Sequence, residues 1–194
     1  MNKAVFLDKD GTINEDLGYL THPCQIKLLP GSADAIKLLN NAGFKVFVVS
    51  NQAGIARGIV TEDILQALDK RLQKEILKNG AFVDRMYYCP HHPEYGVYPY
   101  RAMCDCRKPN NGLLKKAAKE HNVDLGASYM IGDKISDIEC GKASGAKTIL
   151  VLTGKGRESN QSEEIRRMAP DFIAKDLFAA VKWLLNGGNG NGKK

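Results

Sequence analysis

Residues 5–12, Val-Phe-Leu-Asp-Lys-Asp-Gly-Thr, constrain the fold of this chain more than any other segment. A short apolar run ends in two aspartates one residue apart, and Gly11 then lets the chain turn. Two carboxylates this close are costly to hold unless a cation neutralises them, and such oxygen ligands suit Mg²⁺. An ordinary strand-to-turn junction is the alternative, because Asp and Gly are common there. The segment predicts a buried strand that ends at a metal site.

The length and composition favour one folded domain. The chain has 194 residues, 43% of them apolar, so we expect a single domain over residues 1–186. The Gly-, Asn- and Lys-rich segment 187–194 has little that can pack, and we expect it to be disordered. There is no apolar run of transmembrane length and no signal-peptide pattern, which predicts a cytoplasmic protein without a membrane partner.

The formal net charge of +6 is compatible with a nucleic acid or a phosphorylated metabolite as partner. The basic residues are scattered, with no arginine-rich block and no aromatic residues interleaved with them, so we expect no nucleic-acid partner. A solvated surface with a mild excess of lysine explains the charge equally well. A non-catalytic zinc module that binds nucleic acid remains the alternative from another functional class.

Strand and helix patterns alternate along the chain. The expected strands are residues 4–7, 45–49, 85–88, 129–131, 148–152 and 171–173. The expected helices are residues 32–41, about 62–78 with Thr61 as cap, 112–121, 137–143, 163–168 and 177–185. Such alternation predicts an α/β fold, a Rossmann-like three-layer sandwich with a mostly parallel central sheet.

Polar residues follow three of these strands. Asp8 and Asp10 follow the first strand, Ser-Asn-Gln at 50–52 the second, and Asp133 the fourth. Ligands bind beyond the carboxyl ends of the strands in sheets of this kind, so the three ends should converge on one crevice. The aspartates would form a carboxylate cluster suited to one Mg²⁺, with Asp8 or Asp10 able to act as nucleophile and the other to move a proton.

Two further residues suit phosphate chemistry. Ser50 can hydrogen-bond a phosphoryl oxygen, and Lys108 can neutralise phosphate while restraining Asp8. An anionic nucleophile attacks an anionic phosphate only where positive charge offsets their repulsion. A metal, a cation, hydrogen-bond donors and an anionic nucleophile together indicate phosphoryl transfer.

Five cysteines in a chain expected to be cytoplasmic suggest metal binding rather than disulfides. Cys24 and Cys140 stand alone, and we interpret both as small apolar side chains that fill the core. The other three lie within residues 89–106, in an irregular segment rich in Pro, Cys and His.

That segment contains a candidate zinc site. Cys89-x-His91 and, after twelve intervening residues, Cys104-x-Cys106 supply three thiolates and one imidazole. Four such ligands form a closed tetrahedral set, which indicates structural zinc. His92 is an alternative ligand to His91. We expect Zn²⁺ to order a loop at about 89–109 that has little apolar content of its own.

Several of these motifs resemble those of the haloacid dehalogenase superfamily, in order and in approximate spacing. They are the segment 8–12, Ser50 after a strand, Lys108, and Gly-Asp at 132–133 with Asp137. The resemblance spans about residues 5–137. It implies a haloacid-dehalogenase-like fold and an aspartyl-phosphate mechanism.

The same resemblance assigns roles to the carboxylates. It implies that Asp8 is the nucleophile and Asp10 the general acid, then base. Mg²⁺ would be bound by the Asp8 side chain, the Asp10 backbone carbonyl and Asp133. A phosphotransferase could use the same intermediate with an acceptor other than water. Most members carry a cap domain, but only short elements separate Thr12, Ser50 and Lys108, so we expect a capless enzyme walled by the zinc loop and residues 18–29.

Segments 51–58, 89–93, 104–109 and 132–134 resemble the heptose bisphosphate phosphatases within this superfamily. These enzymes remove the 7-phosphate of D-glycero-D-manno-heptose 1,7-bisphosphate in ADP-heptose and lipopolysaccharide precursor synthesis. Histidinol-phosphate phosphatases share the cysteine-histidine loop and are the alternative. The resemblance favours His91 over His92 as zinc ligand, and a monomer.

The expected substrate is therefore a small sugar phosphate. Asn51, Gln52, Arg57, Arg107 and Lys108 are the candidate substrate-binding residues. Arg57 and Arg107 are the candidates for holding the sugar or its second phosphate. The sequence leaves the preferred anomer of the substrate open.

Overall fold

The computed structural model describes residues 1–188, and its framework is a six-stranded parallel sheet. The strands are β1 (Ala4–Leu7), β2 (Lys45–Asn51), β3 (Arg85–Cys89), β4 (Tyr129–Gly132), β5 (Lys147–Val151) and β6 (Phe172–Ala174). Their order is β3-β2-β1-β4-β5-β6, and all neighbours are parallel. Each strand expected from the sequence is present, with its ends displaced by two residues or fewer.

Helices connect the strands. They are α1 (Ser32–Asn41), α2 (Glu62–Lys78), α3 (Gly112–His121), α4 (Ile135–Ala143), α5 (Gly156–Gln161), α6 (Glu163–Met168) and α7 (Leu177–Leu185). Helix α4 begins two residues earlier than expected, and the Asp137 carboxylate accepts a hydrogen bond from the Lys134 N–H at 3.0 Å in its first turn. Helix α5 was not predicted, because its sequence Gly-Arg-Glu-Ser-Asn-Gln has no apolar periodicity.

The helices cover both faces of the sheet. Helices α1, α2 and α7 pack on one face, where strand β1 contributes Val5 and Leu7. Helices α3 and α4 pack on the other, against Phe6, Phe47 and Met130. A strand covered on both faces needs an apolar residue at every position, and β1 is fully buried throughout. The predicted three-layer sandwich is confirmed.

The order of the strands fixes where the site forms. From β1 the chain runs to β2 and β3 on one side, then returns to β4 on the other side of β1. Leu7 of β1 is therefore in register with Val48 of β2 and Ile131 of β4. The residues that follow these three strands meet in the crevice at this switch point.

Of the two isolated cysteines, one is buried and the other is exposed. Cys140 is buried, but the interpretation of Cys24 as a core residue was wrong: it is exposed in a 3-10 helix, Pro23–Gln25, whose residues are not buried. The first two residues of the predicted disordered tail, Gly187 and Gly188, donate backbone hydrogen bonds to the last turn of α7. Residues 189–194 lie outside the described part of the chain. Within residues 1–188, no helix combines the length and apolarity needed to span a membrane.

Candidate active site

Asp8 occupies the carboxyl end of β1 and is almost fully buried. Its backbone N–H donates to the carbonyl oxygen of Ile131 in β4 at 3.0 Å, which fixes it between the two central strands. Gly11 follows with a φ of +89°, and a Cβ at this position would overlap the carboxylate of Asp133. The turn therefore requires glycine both for its backbone and for its close approach to a second carboxylate.

The ammonium group of Lys108 is buried against Asp8. Its Nζ lies 2.7 Å from Asp8 Oδ1, 2.7 Å from Asp137 Oδ1 and 2.7 Å from the carbonyl oxygen of Val49. Burial opposes the charge of both partners. The two carboxylates nevertheless raise the pKa of Lys108, and Lys108 with Lys134 holds the pKa of Asp8 below its usual value. Asp8 is thus an anion at neutral pH, as a nucleophile must be.

Asp133, directly after β4, faces the same point. Oxygens of Asp8, Asp133 and Asp137 lie within 4.8 Å of one another. Asp133 Oδ2 accepts a hydrogen bond from the Lys155 N–H at 2.7 Å, whereas its buried Oδ1 has no hydrogen-bond partner. A buried carboxylate oxygen that lacks a hydrogen bond and lies beside a second carboxylate fits a hard divalent cation such as Mg²⁺.

We expect the stabilisation of the protein by Mg²⁺ to grow between about pH 5 and pH 7. Burial, and next the charge of Asp8, raises the pKa of Asp133 to about 7. Without metal, this carboxyl holds a proton in the folded state and loses it on unfolding at pH values between its usual pKa of 3.8 and about 7. The folded metal-free protein therefore loses stability as the pH rises through this window. Bound Mg²⁺ would neutralise the carboxylate in place of the proton, so its stabilising effect should increase with pH.

The measurement is the difference in Tm with and without Mg²⁺ at each pH. Asp69 also has its pKa raised by burial, to about 6, but this contribution should be the same with and without Mg²⁺ and should cancel in the difference. Asp133→Asn should remove most of the Mg²⁺-dependent part. A Tm difference that stays constant across this pH range would contradict the assignment.

The side chain of Asp10 lies outside this carboxylate cluster. Its Oδ1 accepts from Asn14 Nδ2 at 2.8 Å and its Oδ2 from Gln52 Nε2 at 3.0 Å. The buried Lys9 Nζ lies 3.6 Å from the same Oδ2. These groups fix the orientation of the carboxylate while leaving it partly exposed to the crevice.

Ser50 and Asn51 end β2 beside Asp8. Ser50 is buried and its Oγ accepts from Gln52 Nε2 at 3.0 Å. The side-chain amide of Asn51 makes two hydrogen bonds with the backbone of Lys108, one through Nδ2 and one through Oδ1. A recess of about 40 Å³, large enough for a small anionic group, is lined by these residues together with Asp8 and Lys134. The predicted catalytic residues are thus brought together.

A larger cavity of about 480 Å³ opens beside this recess, and its lining includes Asp10, Asp16, Arg107 and Lys134. The guanidinium of Arg107 also donates to the carbonyl oxygen of His91 at 3.2 Å. Arg57 does not line this cavity. It is exposed, and its guanidinium carbon lies 3.5 Å from the centroid of the Tyr95 ring.

The candidate zinc ligands form a compact group. Sγ of Cys104 lies 3.5 Å from that of Cys89 and 3.3 Å from that of Cys106, and His91 Nδ1 lies 3.4 Å from Cys106 Sγ. A tetrahedral Zn²⁺ with bonds of about 2.3 Å has ligand separations of about 3.8 Å, so this donor set fits zinc. His92 does not join the group, because its Nδ1 accepts the Glu94 N–H at 3.1 Å.

Sequence reasoning missed two residues at the site, Lys134 and Asn14. Lys134 Nζ lies 3.8 Å from both Asp8 Oδ2 and Asp133 Oδ1, and 3.4 Å from Asp16 Oδ2. Asn14 orients Asp10, as described above. Lys134 and Asn14 each lie within four residues of a predicted site residue, but neither shows a periodicity or spacing that would single it out.

Comparison with known proteins gives a consistent result. A HAD-hydrolase-like family model matches residues 105–180. A D-glycero-D-manno-heptose-1,7-bisphosphate 7-phosphatase of Thermosynechococcus vestitus is 42% identical over 93% of this chain and 94% of its own. A D-glycero-beta-D-manno-heptose-1,7-bisphosphate 7-phosphatase of Escherichia coli (strain K12) is 42% identical over 78% of this chain and 80% of its own.

A solved structure that is similar to this chain is also that of a heptose bisphosphate phosphatase. The D,D-heptose 1,7-bisphosphate phosphatase from B. bronchiseptica, complexed with magnesium and phosphate, has a TM-score of 0.84 to this chain. It is 31% identical, and the match covers 95% of this chain and 99% of that one.

Proposed function

Since this chain belongs to the family of D-glycero-D-manno-heptose-1,7-bisphosphate 7-phosphatases, HAD-like hydrolases, we propose that it hydrolyses the 7-phosphate of that sugar bisphosphate. The observation that carries the proposal is the buried pair of Asp8 and Lys108, 2.7 Å apart at the switch point of the sheet. The product would keep its 1-phosphate and enter ADP-heptose synthesis, a precursor route to lipopolysaccharide. The enzyme would act in the cytoplasm as a monomer.

The chemistry follows from the positions of the side chains. Asp8 Oδ attacks phosphorus, the bond from phosphorus to the sugar oxygen breaks, and Asp10 gives its proton to that leaving oxygen. Asp10 then takes a proton from water, whose oxygen attacks the aspartyl-phosphate and releases inorganic phosphate with Asp8 restored. Lys108 and Ser50 stabilise the charge on the transferred phosphoryl group.

The metals have separate roles in this proposal. Asp8, Asp133 and the backbone carbonyl of Asp10 would hold Mg²⁺, which would neutralise phosphoryl oxygens when bound. Zn²⁺ held by Cys89, His91, Cys104 and Cys106 would be structural, because a closed set of four ligands leaves no position for substrate.

The large cavity is the proposed sugar site. Arg107 lines it and would contact the sugar or its 1-phosphate, and Gln52 lines it beside Asp10. Arg57 would have to leave the Tyr95 ring to reach a substrate there. Gly18 and Tyr19 form part of the wall, in support of an enzyme that works without a cap domain.

Turnover of purified protein on three substrates tests the proposal. We expect kcat/KM for heptose 1,7-bisphosphate to exceed that for histidinol phosphate by at least about 100-fold, since a site built for one polar substrate leaves groups unpaired with another. The α and β anomers should be assayed separately. Phosphorus NMR of the product should show the 1-phosphate retained, and a preference for histidinol phosphate would overturn the choice.

A further inference from the structure

We propose that Asn51 is a positioning residue that fixes Lys108 in the active site, rather than a residue that binds the sugar. Asn51 is the last residue of β2, and Lys108 lies 57 residues later in the chain. Asn51 Nδ2 donates to the Lys108 carbonyl oxygen at 2.9 Å, and Asn51 Oδ1 accepts the Lys108 N–H at 3.0 Å. The side-chain amide of Asn51 thus bonds both backbone polar groups of Lys108, as the backbone of a neighbouring strand would.

Lys108 needs such an anchor because its own segment is irregular. It lies between β3 and α3 and belongs to neither a helix nor a strand. Its ammonium group nevertheless makes three contacts of 2.7 Å, with Asp8, Asp137 and the carbonyl oxygen of Val49. A backbone free to shift by an ångström could not keep the three together.

The anchor also sets Lys108 relative to the other phosphate-binding group. Asn51 directly follows Ser50 at the end of β2. The positions of the Ser50 hydroxyl and of Lys108 are therefore both fixed by the end of the same strand. The candidate zinc ligand Cys106 constrains the chain from the other side, two residues before Lys108. Loss of the Asn51 amide should therefore misplace Lys108 for every phosphate ester, whatever its sugar.

The test rests on the proposed phosphatase function but does not depend on the heptose substrate. Asn51→Ala is compared with wild type on heptose 1,7-bisphosphate and on p-nitrophenyl phosphate, which lacks a sugar. We expect kcat to fall by a similar factor on both, about 10- to 100-fold, with KM changed less than about threefold, because misplacement by an ångström near the chemistry costs about this much. Failure of wild type on the heptose alone would reject the substrate and leave the Asn51 comparison on p-nitrophenyl phosphate intact.

The chain offers a matched control. Asn40 bonds the backbone of Phe82 in the same way, away from the site. Its Nδ2 donates to the Phe82 carbonyl oxygen at 3.1 Å, and its Oδ1 accepts the Phe82 N–H at 3.0 Å. Asn40→Ala should keep wild-type kcat on both substrates.

Asn51→Asp keeps the acceptor for the Lys108 N–H but sets a carboxylate oxygen against the Lys108 carbonyl oxygen, so it should also lower kcat by a similar factor on both substrates, and it gives the same comparison if the alanine variant does not fold. A raised KM for the heptose with unchanged p-nitrophenyl phosphate hydrolysis, or an unchanged kcat on both substrates, would overturn the proposal.

Discussion

Replacing Asp8 by Asn should abolish turnover, with a fall in kcat of at least about 10⁴-fold. The amide is uncharged and cannot form the acyl phosphate, and no second carboxylate can take its place. Asp137 is bound to Lys108 and Asp133 is oriented by the Lys155 N–H. Steady-state phosphate release and trapping of the aspartyl-phosphate with hydroxylamine both measure the effect.

The fold should survive this substitution. Lys108 keeps Asp137 and the carbonyl oxygen of Val49 as partners, so no unpaired charge is left buried. Asp84 offers a control, because it is a partly buried carboxylate paired with a lysine: its Oδ1 lies 2.7 Å from Lys45 Nζ, away from the site. Asp84→Asn should keep wild-type kcat. Wild-type phosphate release by Asp8→Asn would show that Asp8 is not the nucleophile, and full function of this variant in vivo without turnover would favour a non-catalytic binding protein.

Replacing Cys106 by Ser should remove zinc and activity together. One thiolate of four is lost, and zinc affinity in such sites is on the order of 10 kcal/mol or more, so the loop from 89 to 109 loses its main source of order. Arg107 and Lys108 directly follow this ligand, and the side chain of Asn51 is then left as the hydrogen-bond partner of the Lys108 backbone. We expect kcat to fall at least about 100-fold with Mg²⁺ in excess.

Zinc content by elemental analysis, kcat and Tm should be measured on the same preparation. Cys24→Ser is the matched control, since Cys24 is exposed and lies outside the zinc cluster. It should retain zinc, activity and Tm. If a zinc-free Cys106→Ser protein turned over substrate at the wild-type rate, the coupling between the zinc loop and Lys108 would be disproved.

Some elements and site residues could be located from the sequence, and others could not. The run Val5–Leu7 and the aspartates after it could be located because a strand buried on both faces has to be apolar throughout, and ligands gather where such strands end. The four zinc-type ligands could be located because their spacing is local. Helix α5 could not, because its residues are polar and its place is set by contacts outside the helix, among them Ser159 Oγ to the carbonyl oxygen of Asp133.

The chain by itself thus determined the layers, the strands and the chemistry available at their ends, because periodicity and residue type are local properties. Only the tertiary structure decided how those groups are used. It gave Lys108 a second carboxylate partner, Asp137, bound the amide of Asn51 to the backbone of that lysine, and placed the guanidinium of Arg57 on the ring of Tyr95. Contacts between distant residues depend on strand order and loop closure, which the spacing of residues along the chain does not encode.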